Sequence, residues 1–420
     1  MLQIKTMKKK LGVTAKLSIC LCASSLTINS ARADFISDSH AVIDARNMYM
    51  NRDLRNSGSP EPMRDWGQGF TLRLNSGFTD GVVGFGVDAI AQMGVKLDAG
   101  QRGSSTNLLV LGRDGKAENE WSEAGVTAKM RLGKSQLSVG SLQPNLPVVM
   151  YNDTRLLATR YTGAMLTSKD VDNLSLTLGQ LTRVNLRDST GNKDMAYAYN
   201  GLSAGDFDFA GGAYAVNKDL SLSYYYARLE DAYAQHFVGL NHTAEIAPGL
   251  KLVTDLRYFH SLDEGRAIGG DIDNDFLNGM ATLDTQGHGF SAGWQKLSGD
   301  GNFPFLAGAD PYSVNLVTHN TFAKQNTRAW QLRYTYNFAA MGVPGLTFMT
   351  RYVQGRSIEA SGVTDGHEWE RDMDIAYVIQ SGPLKDLSLR WRNVSFRSGN
   401  GLTTDLDENR VILGYQIALW

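Results

Sequence analysis

Along most of the chain, apolar and polar residues alternate with a period of two. In Leu174-Leu176-Leu178, Leu220-Leu222-Tyr224-Tyr226 and Trp330-Leu332-Tyr334-Tyr336-Phe338 the positions in between are mostly Thr, Ser, Gly, Gln, Asn, Arg or Lys. Phe70-Leu72-Leu74, Val126-Ala128-Met130-Leu132 and Val411-Leu413-Tyr415-Ile417-Leu419 behave the same way. Successive side chains of a strand point to opposite faces, so the pattern predicts strands with one apolar and one polar face. Segments of about ten such residues separated by turns are the signature of a transmembrane β-barrel. A soluble sandwich alternates too, but Tyr and Trp gather toward the segment ends, as in interfacial girdles.

The connections carry a second rhythm. Tight ones at Ala247-Pro248-Gly249, Gly342-Val343-Pro344-Gly345 and Ser381-Gly382-Pro383 alternate with long polar ones at 51–65, 97–121, 143–159, 263–277 and 298–326. Short periplasmic turns and long outer loops are the habit of outer-membrane barrels. A first count gives nineteen strands, whereas bacterial barrels close with an even number. Treating 183–205 as one loop, with the weak segment 195–200 inside it, gives eighteen strands and nine outer loops. The strand at 278–284 is then short for crossing a bilayer. The predicted fold is all-β: an antiparallel barrel of about eighteen strands with outer loops folded inward as a constriction.

Composition changes this picture at the N-terminus. Lys8-Lys9-Lys10, the apolar run Leu11 to Ala23 and Ala31-Arg32-Ala33 form a secretory signal, so 1–33 is expected to be cleaved and 34–420 to form one barrel domain. Both cysteines, Cys20 and Cys22, fall inside that signal, which leaves a mature chain without disulfides. The signal holds six bases and no acid, so its removal takes the formal net charge from −2 to −8. An acidic chain is a poor partner for nucleic acid. No stretch reaches the ~18 apolar residues of a transmembrane helix.

Against that acidic background, bases recur on the polar phase of the strands. They are Arg46, Arg73, Lys129, Arg131, Lys251, Arg257, Arg333, Arg351, Arg390, Arg392 and Arg410, against the acids Asp44, Asp88, Asp208, Asp255, Asp374 and Glu245. In a barrel this phase faces the lumen. A row of guanidinium forks attracts carboxylates, and several weak sites in series suit conduction. The same arginines could instead pair with lumen acids; the excess of bases speaks against that. Loop 143–160 (Pro144-Asn145-Leu146-Pro147-Val148-Val149-Met150-Tyr151-Asn152-Asp153-Thr154-Arg155-Leu156-Leu157) is too apolar to stand in water and is expected inside the barrel. Seven scattered histidines, with no Gly-x-Ser-x-Gly, His-Glu-x-x-His or phosphate loop, give no support to catalysis or a cofactor.

Several blocks resemble a known family. Arg46-Asn47-Met48-Tyr49-Met50-Asn51-Arg52-Asp53, Trp66-Gly67-Gln68-Gly69-Phe70, Ser76-Gly77-Phe78-Thr79-Asp80-Gly81 and Gly342-Val343-Pro344-Gly345-Leu346-Thr347-Phe348 are similar to OprD-type outer-membrane porins. So are Asp153-Thr154-Arg155-Leu156-Leu157 and Gln295-Lys296 followed by Gly299-Asp300. The resemblance implies an eighteen-stranded barrel in the bacterial outer membrane, monomeric or loosely trimeric, in contact with lipid and lipopolysaccharide. It implies an eyelet shaped by the third, fourth and seventh outer loops, and a basic ladder for small carboxylates. By position the ladder falls on Arg131, Arg351, Arg390, Arg392 and Arg410, with Arg257, Arg333 and Lys129 as additions. Arg155, Arg160 and Tyr151 from the third loop and Asp310 from the seventh are the eyelet candidates. Substrates of such porins range from basic amino acids to aromatic and other small carboxylates; the sparse lumen acids favour the latter. A general diffusion porin and a barrel enzyme or adhesin remain the other readings. Two positions depart from the family: the apolar phase ends at Leu419 rather than Trp420, and Ala158 stands where many relatives carry Pro.

Overall fold

The computed structural model describes residues 35–55, 62–100, 106–360 and 362–420. The expected signal, with both cysteines, lies outside the described residues. Eighteen antiparallel strands close into a barrel. They are β1 (His40–Leu54), β2 (Met63–Asn75), β3 (Val83–Ala99), β4 (Glu120–Leu132), β5 (Ser135–Leu142), β6 (Arg160–Ser168), β7 (Leu174–Asn185), β8 (Phe207–Ala215) and β9 (Leu220–Leu229). The second half comprises β10 (Tyr233–Ala247), β11 (Leu250–Asp263), β12 (Asp273–Thr285), β13 (His288–Asp300), β14 (Arg328–Asn337), β15 (Leu346–Ala360), β16 (Val363–Val378), β17 (Ser388–Ser398) and β18 (Leu406–Ala418). Each strand pairs with the next, and β18 pairs with β1 from Val42↔Ala418 to Leu54↔Leu406. Closure leaves no edge, which hydrocarbon requires, because every backbone donor and acceptor must be satisfied within the protein.

The alternation puts Leu222, Leu256, Phe290 and Leu332 on the outer face, each more than 40% exposed in the isolated chain, where lipid covers them in the membrane. Aromatics ring both ends of that band. His288, Tyr334 and Tyr336 cluster near the periplasmic turns, and Trp294, Trp330, Tyr352 and Trp369 stand toward the outer loops. The chain end is tied to β1: the Ala41 N–H donates to the Trp420 carbonyl and the Leu419 N–H to that of Ala41.

Three boundaries differ from the sequence reading. The strand expected at 278–284 runs over Asp273–Thr285, because Asn274, Phe276 and Asn278 also alternate inward, and the loop before it shrinks to 264–272. In agreement with the sequence reading, the segment 195–200 is not a barrel strand. It belongs to the loop 186–206, whose Lys193–Asp194 forms only a two-residue rung on β7. Loops expected over 51–65 and 97–121 are shorter, since β1 and β3 extend into them.

Three outer loops turn inward: L3 (143–159), L4 (186–206) and L7 (301–327). Asn145–Leu146, Val149–Tyr151 and Ala309–Asp310 form a small sheet joining L3 to L7. Main-chain bonds Ala198→Phe305 and Ala307→Ala196 join L4 to L7. Their apolar residues meet inward side chains of β7–β13 in one dry cluster. Phe207, Tyr233, Phe259, Phe276 and Leu306 are all fully buried there. Aromatic rings in edge and tilted contact, such as Phe259 with Phe303 at 4.9 Å, fill this half of the lumen. A second cluster seats Leu156 and Leu157 of L3 against Met48, Met50 and Trp121.

Candidate functional site

With one half of the lumen packed, the opposite wall, β14–β18 with β1 and β2, carries the open space. The inward phase there is charged in rows. Arg333 stands opposite Arg351, Arg351 opposite Asp372, Asp374 opposite Arg392, and Arg392 opposite Arg410. A cavity of about 460 Å³ lies against these strands. Its charged lining is Arg46, Arg155, Arg390, Arg392, Arg410 and a single acid, Asp153.

The structure brings five ladder candidates together and separates three. Arg333, Arg351, Arg390, Arg392 and Arg410 share the open wall. Arg257 sits on the packed side, paired with Asp255 at 2.6 Å and stacked over the Tyr312 ring at 3.7 Å. Lys129 and Arg131 lie near the periplasmic end, both over the Phe78 ring, with Lys129 also paired to Asp88.

The expected scarcity of lumen acids does not hold. Glu123, Glu368, Glu370, Asp372 and Glu408 also face inward and are buried. Arg351 pairs with Asp372 at 2.6 Å, Arg392 with Asp374 at 2.7 Å, and Glu408 takes both Arg410 and Arg52. Desolvated arginines need such partners to stay buried. Arg390 is the freest of the row: it is exposed to the lumen and reaches Asp374 only at 3.3 Å. Arg333 has Ser291 as a partner and an Nε with none.

The eyelet is built on L3 and L7. Asn152 donates to the Asp310 carboxylate across the two loops, and the Arg187 guanidinium of L4 donates to the side-chain oxygens of Asn152 and Thr154. Arg46 of β1 clamps L3 from below, donating to the Asp153 carboxylate and the Arg155 carbonyl. Arg155 is buried, its Nε has no partner, and no carboxylate pairs with it among the described residues. Burial and the charges of Arg410 and Arg187 push its pKa down, yet a guanidinium keeps its proton in proteins. Burial pushes the Asp310 carboxyl up, and Asn152, Arg187 and Arg155 hold it back in part. Tyr151 lies in the L3–L7 sheet, opposite Ala309. Arg160 does not reach the opening: it is 4% exposed in the wall, paired with Glu123.

A rail of acids fixes L7. On β16, Glu370 accepts the N–H groups of His319 and Asn320, Asp372 accepts the N–H and the hydroxyl of Thr318, and Glu368 binds Lys324 and the Asn320 amide. Sequence reasoning missed this rail, although Glu368, Glu370 and Asp372 share the phase of Asp374 and were open to the same argument as the arginines. Arg187 left no such signal, since it sits in a loop without period.

The model of the family described as outer membrane porin, OprD family, matches residues 33–419. Porin D of Pseudomonas aeruginosa is 36% identical over 412 residues, covering 92% of each chain. The crystal structure of Pseudomonas aeruginosa OpdQ is 45% identical, with a TM-score of 0.84 over 92% of this chain and 100% of that one. That of Pseudomonas aeruginosa OpdK with vanillate is 33% identical, with a TM-score of 0.87 and the same coverage.

Proposed function

The chain belongs to the OprD family of outer-membrane porins, and on that premise we propose that it passes small carboxylate-bearing molecules by diffusion along its arginine wall. The observation that carries this reading is the cavity beneath L3, where five arginines face one aspartate. Low-dielectric walls focus the field of such a cluster and raise the local anion concentration. A carboxylate entering past Arg155 meets Arg392 and Arg390, each a fork for its two oxygens, while buried Arg410, tied to Glu408 and the Thr318 carbonyl, adds its charge to the field. Because Asp374, Glu408 and Asp153 already hold part of that charge, each step is shallow, as conduction requires. OpdK, solved with vanillate, is consistent with an aromatic carboxylate as cargo.

The extensive pairing of lumen arginines also fits a general, weakly selective porin, and one experiment separates the two. In proteoliposomes, benzoate flux is compared with that of neutral benzyl alcohol for the unmodified protein and for Arg390→Ala/Arg392→Ala. A carboxylate pathway loses its benzoate preference by about tenfold, equivalent to about 1.4 kcal/mol. Equal fluxes of the two solutes through the unmodified protein would support the general porin and sink the carboxylate reading.

A further inference from the structure

On the outer face, three basic residues stand in one row across neighbouring strands. Lys296 of β13 is directly opposite Arg328 of β14, and Arg328 is directly opposite Arg356 of β15. All three occupy the lipid-facing phase. Two residues deeper along β13 and β14, Trp294 and Trp330 are paired with each other and are 47% and 40% exposed. The row lies at the ends of β13 and β14 that lead into L7, on the side of the outer leaflet. Tryptophans mark the headgroup level of a bilayer, so the bases sit at the level of lipid headgroups.

The row is costly as it stands. Like charges directly opposite one another on a sheet repel, and here two such pairs are consecutive. Inside the lumen, Arg351, Arg392 and Arg410 are each matched by an acid. Outside, none of these three bases forms an ion pair among the described residues. Arg356 adds a second peculiarity. The β15–β16 register breaks between Gly355 and Ile358, with Ser357 at φ 58, so Arg356 sits in a bulge on the side away from Arg328. Bulges re-aim side chains, and here the bulge leaves an exposed guanidinium at the end of a basic row.

We propose that Lys296, Arg328 and Arg356 bind the phosphates of an anionic lipid of the outer leaflet. The two guanidinium groups suit phosphate oxygens two at a time and the ammonium serves as a point charge, while Trp294 and Trp330 cover the lipid just below its headgroup. This rests on the outer-membrane placement and is independent of the carboxylate pathway.

The test uses the purified full barrel in phosphatidylcholine bicelles doped with diphosphorylated lipid A or with its dephosphorylated form. Bound lipid is counted by native mass spectrometry. The unmodified protein is expected to retain the phosphorylated lipid selectively. Lys296→Gln/Arg328→Gln/Arg356→Gln is expected to bind it on the order of a hundredfold more weakly, since each base near an anionic surface contributes about a fivefold effect. Arg328→Gln alone, at an exposed position, serves if the triple variant does not fold. Equal retention of the two lipids, or undiminished retention by the variants, overturns the proposal. Displacement by inorganic phosphate at matched concentration overturns the lipid as the source of the phosphate. Single-channel conductance and benzoate flux are expected to be unchanged by these variants, so a failure here and a failure of the carboxylate pathway are read separately.

Discussion

The Glu370 carboxylate accepts the backbone N–H of His319 at 2.8 Å, and its other oxygen accepts that of Asn320 at the same distance. One wall side chain thus holds the inner tip of L7. Hydrogen bonds to a charged group contribute about 1.5–3 kcal/mol each, so Glu370→Ala should free the tip while the barrel remains closed. Planar-bilayer recordings are expected to show greater open-channel noise, with heat-modifiable migration unaltered. Quiet channels in this variant would mean that the L3–L7 and L4–L7 main-chain bonds suffice.

His319 makes that anchorage sensitive to acid. Burial pushes its pKa down to about 4, aided by the charges of Arg52, Arg410 and Arg155. A base with a depressed folded pKa takes up its proton in the unfolded segment first. Its contribution is therefore complete above the ordinary value of 6.5 and is lost as the pH falls toward 4. Gating events should become more frequent across that window, and His319→Phe, which keeps the contact with Phe396, should flatten the profile.

Asp310 titrates in the eyelet with the opposite sign. Its raised pKa means that the neutral form is favoured, so its stabilising contribution is present in acid and is lost as the pH rises through that pKa. Acidification removes the negative charge beside Arg187 and Arg155 earlier than for an ordinary aspartate. Reversal potentials in a salt gradient should therefore shift toward anions as the pH drops. Asp310→Asn should show the shifted value at neutral pH and no further change.

Gly69 admits L3 to the lumen. A Cβ placed there would lie 2.6 Å from the Leu156 carbonyl oxygen. Gly69→Ala must then push L3 away from β2, at the roughly 1–3 kcal/mol typical of overpacking. Conductance is the readout: an unchanged value would show that the loop relaxes without altering the opening.

Phe276 is fully buried in the packed half of the lumen, 4.7 Å from Phe303. Phe276→Ala should cost about 3–5 kcal/mol through the cavity left behind, seen as a lower urea midpoint for unfolding from vesicles. Ion selectivity should stay as it is, because the charged wall is elsewhere.

The barrel was legible because lipid imposes a strict period. Leu332, Tyr334 and Tyr336 alternate with Gln331, Arg333 and Thr335, and no soluble neighbour disturbs the pattern. The apolar content of L3 likewise announced its burial, through Leu156 and Leu157. What escaped was whatever depends on partners distant in sequence. Arg160 looks like an eyelet residue until Glu123, 37 positions earlier, is seen to hold it in the wall. Arg257 shares the phase of Arg333, yet Tyr312 of L7 stacks on it and takes it off the path. The phase of a strand residue says that it faces inward; which side of the lumen stays open is decided by loops whose packing has no period.

The packing of aromatics into one half of the lumen divides the labour of the chain between two sectors. Strands β7–β13 serve as a foundation, where a substitution registers first in folding. Strands β14–β18 with β1 and β2 serve as a replaceable lining, where a substitution registers first in what is admitted. A lineage of such channels can therefore change its diet by rewriting a few inward positions on one sector, leaving the architecture that inserts and folds in the membrane untouched.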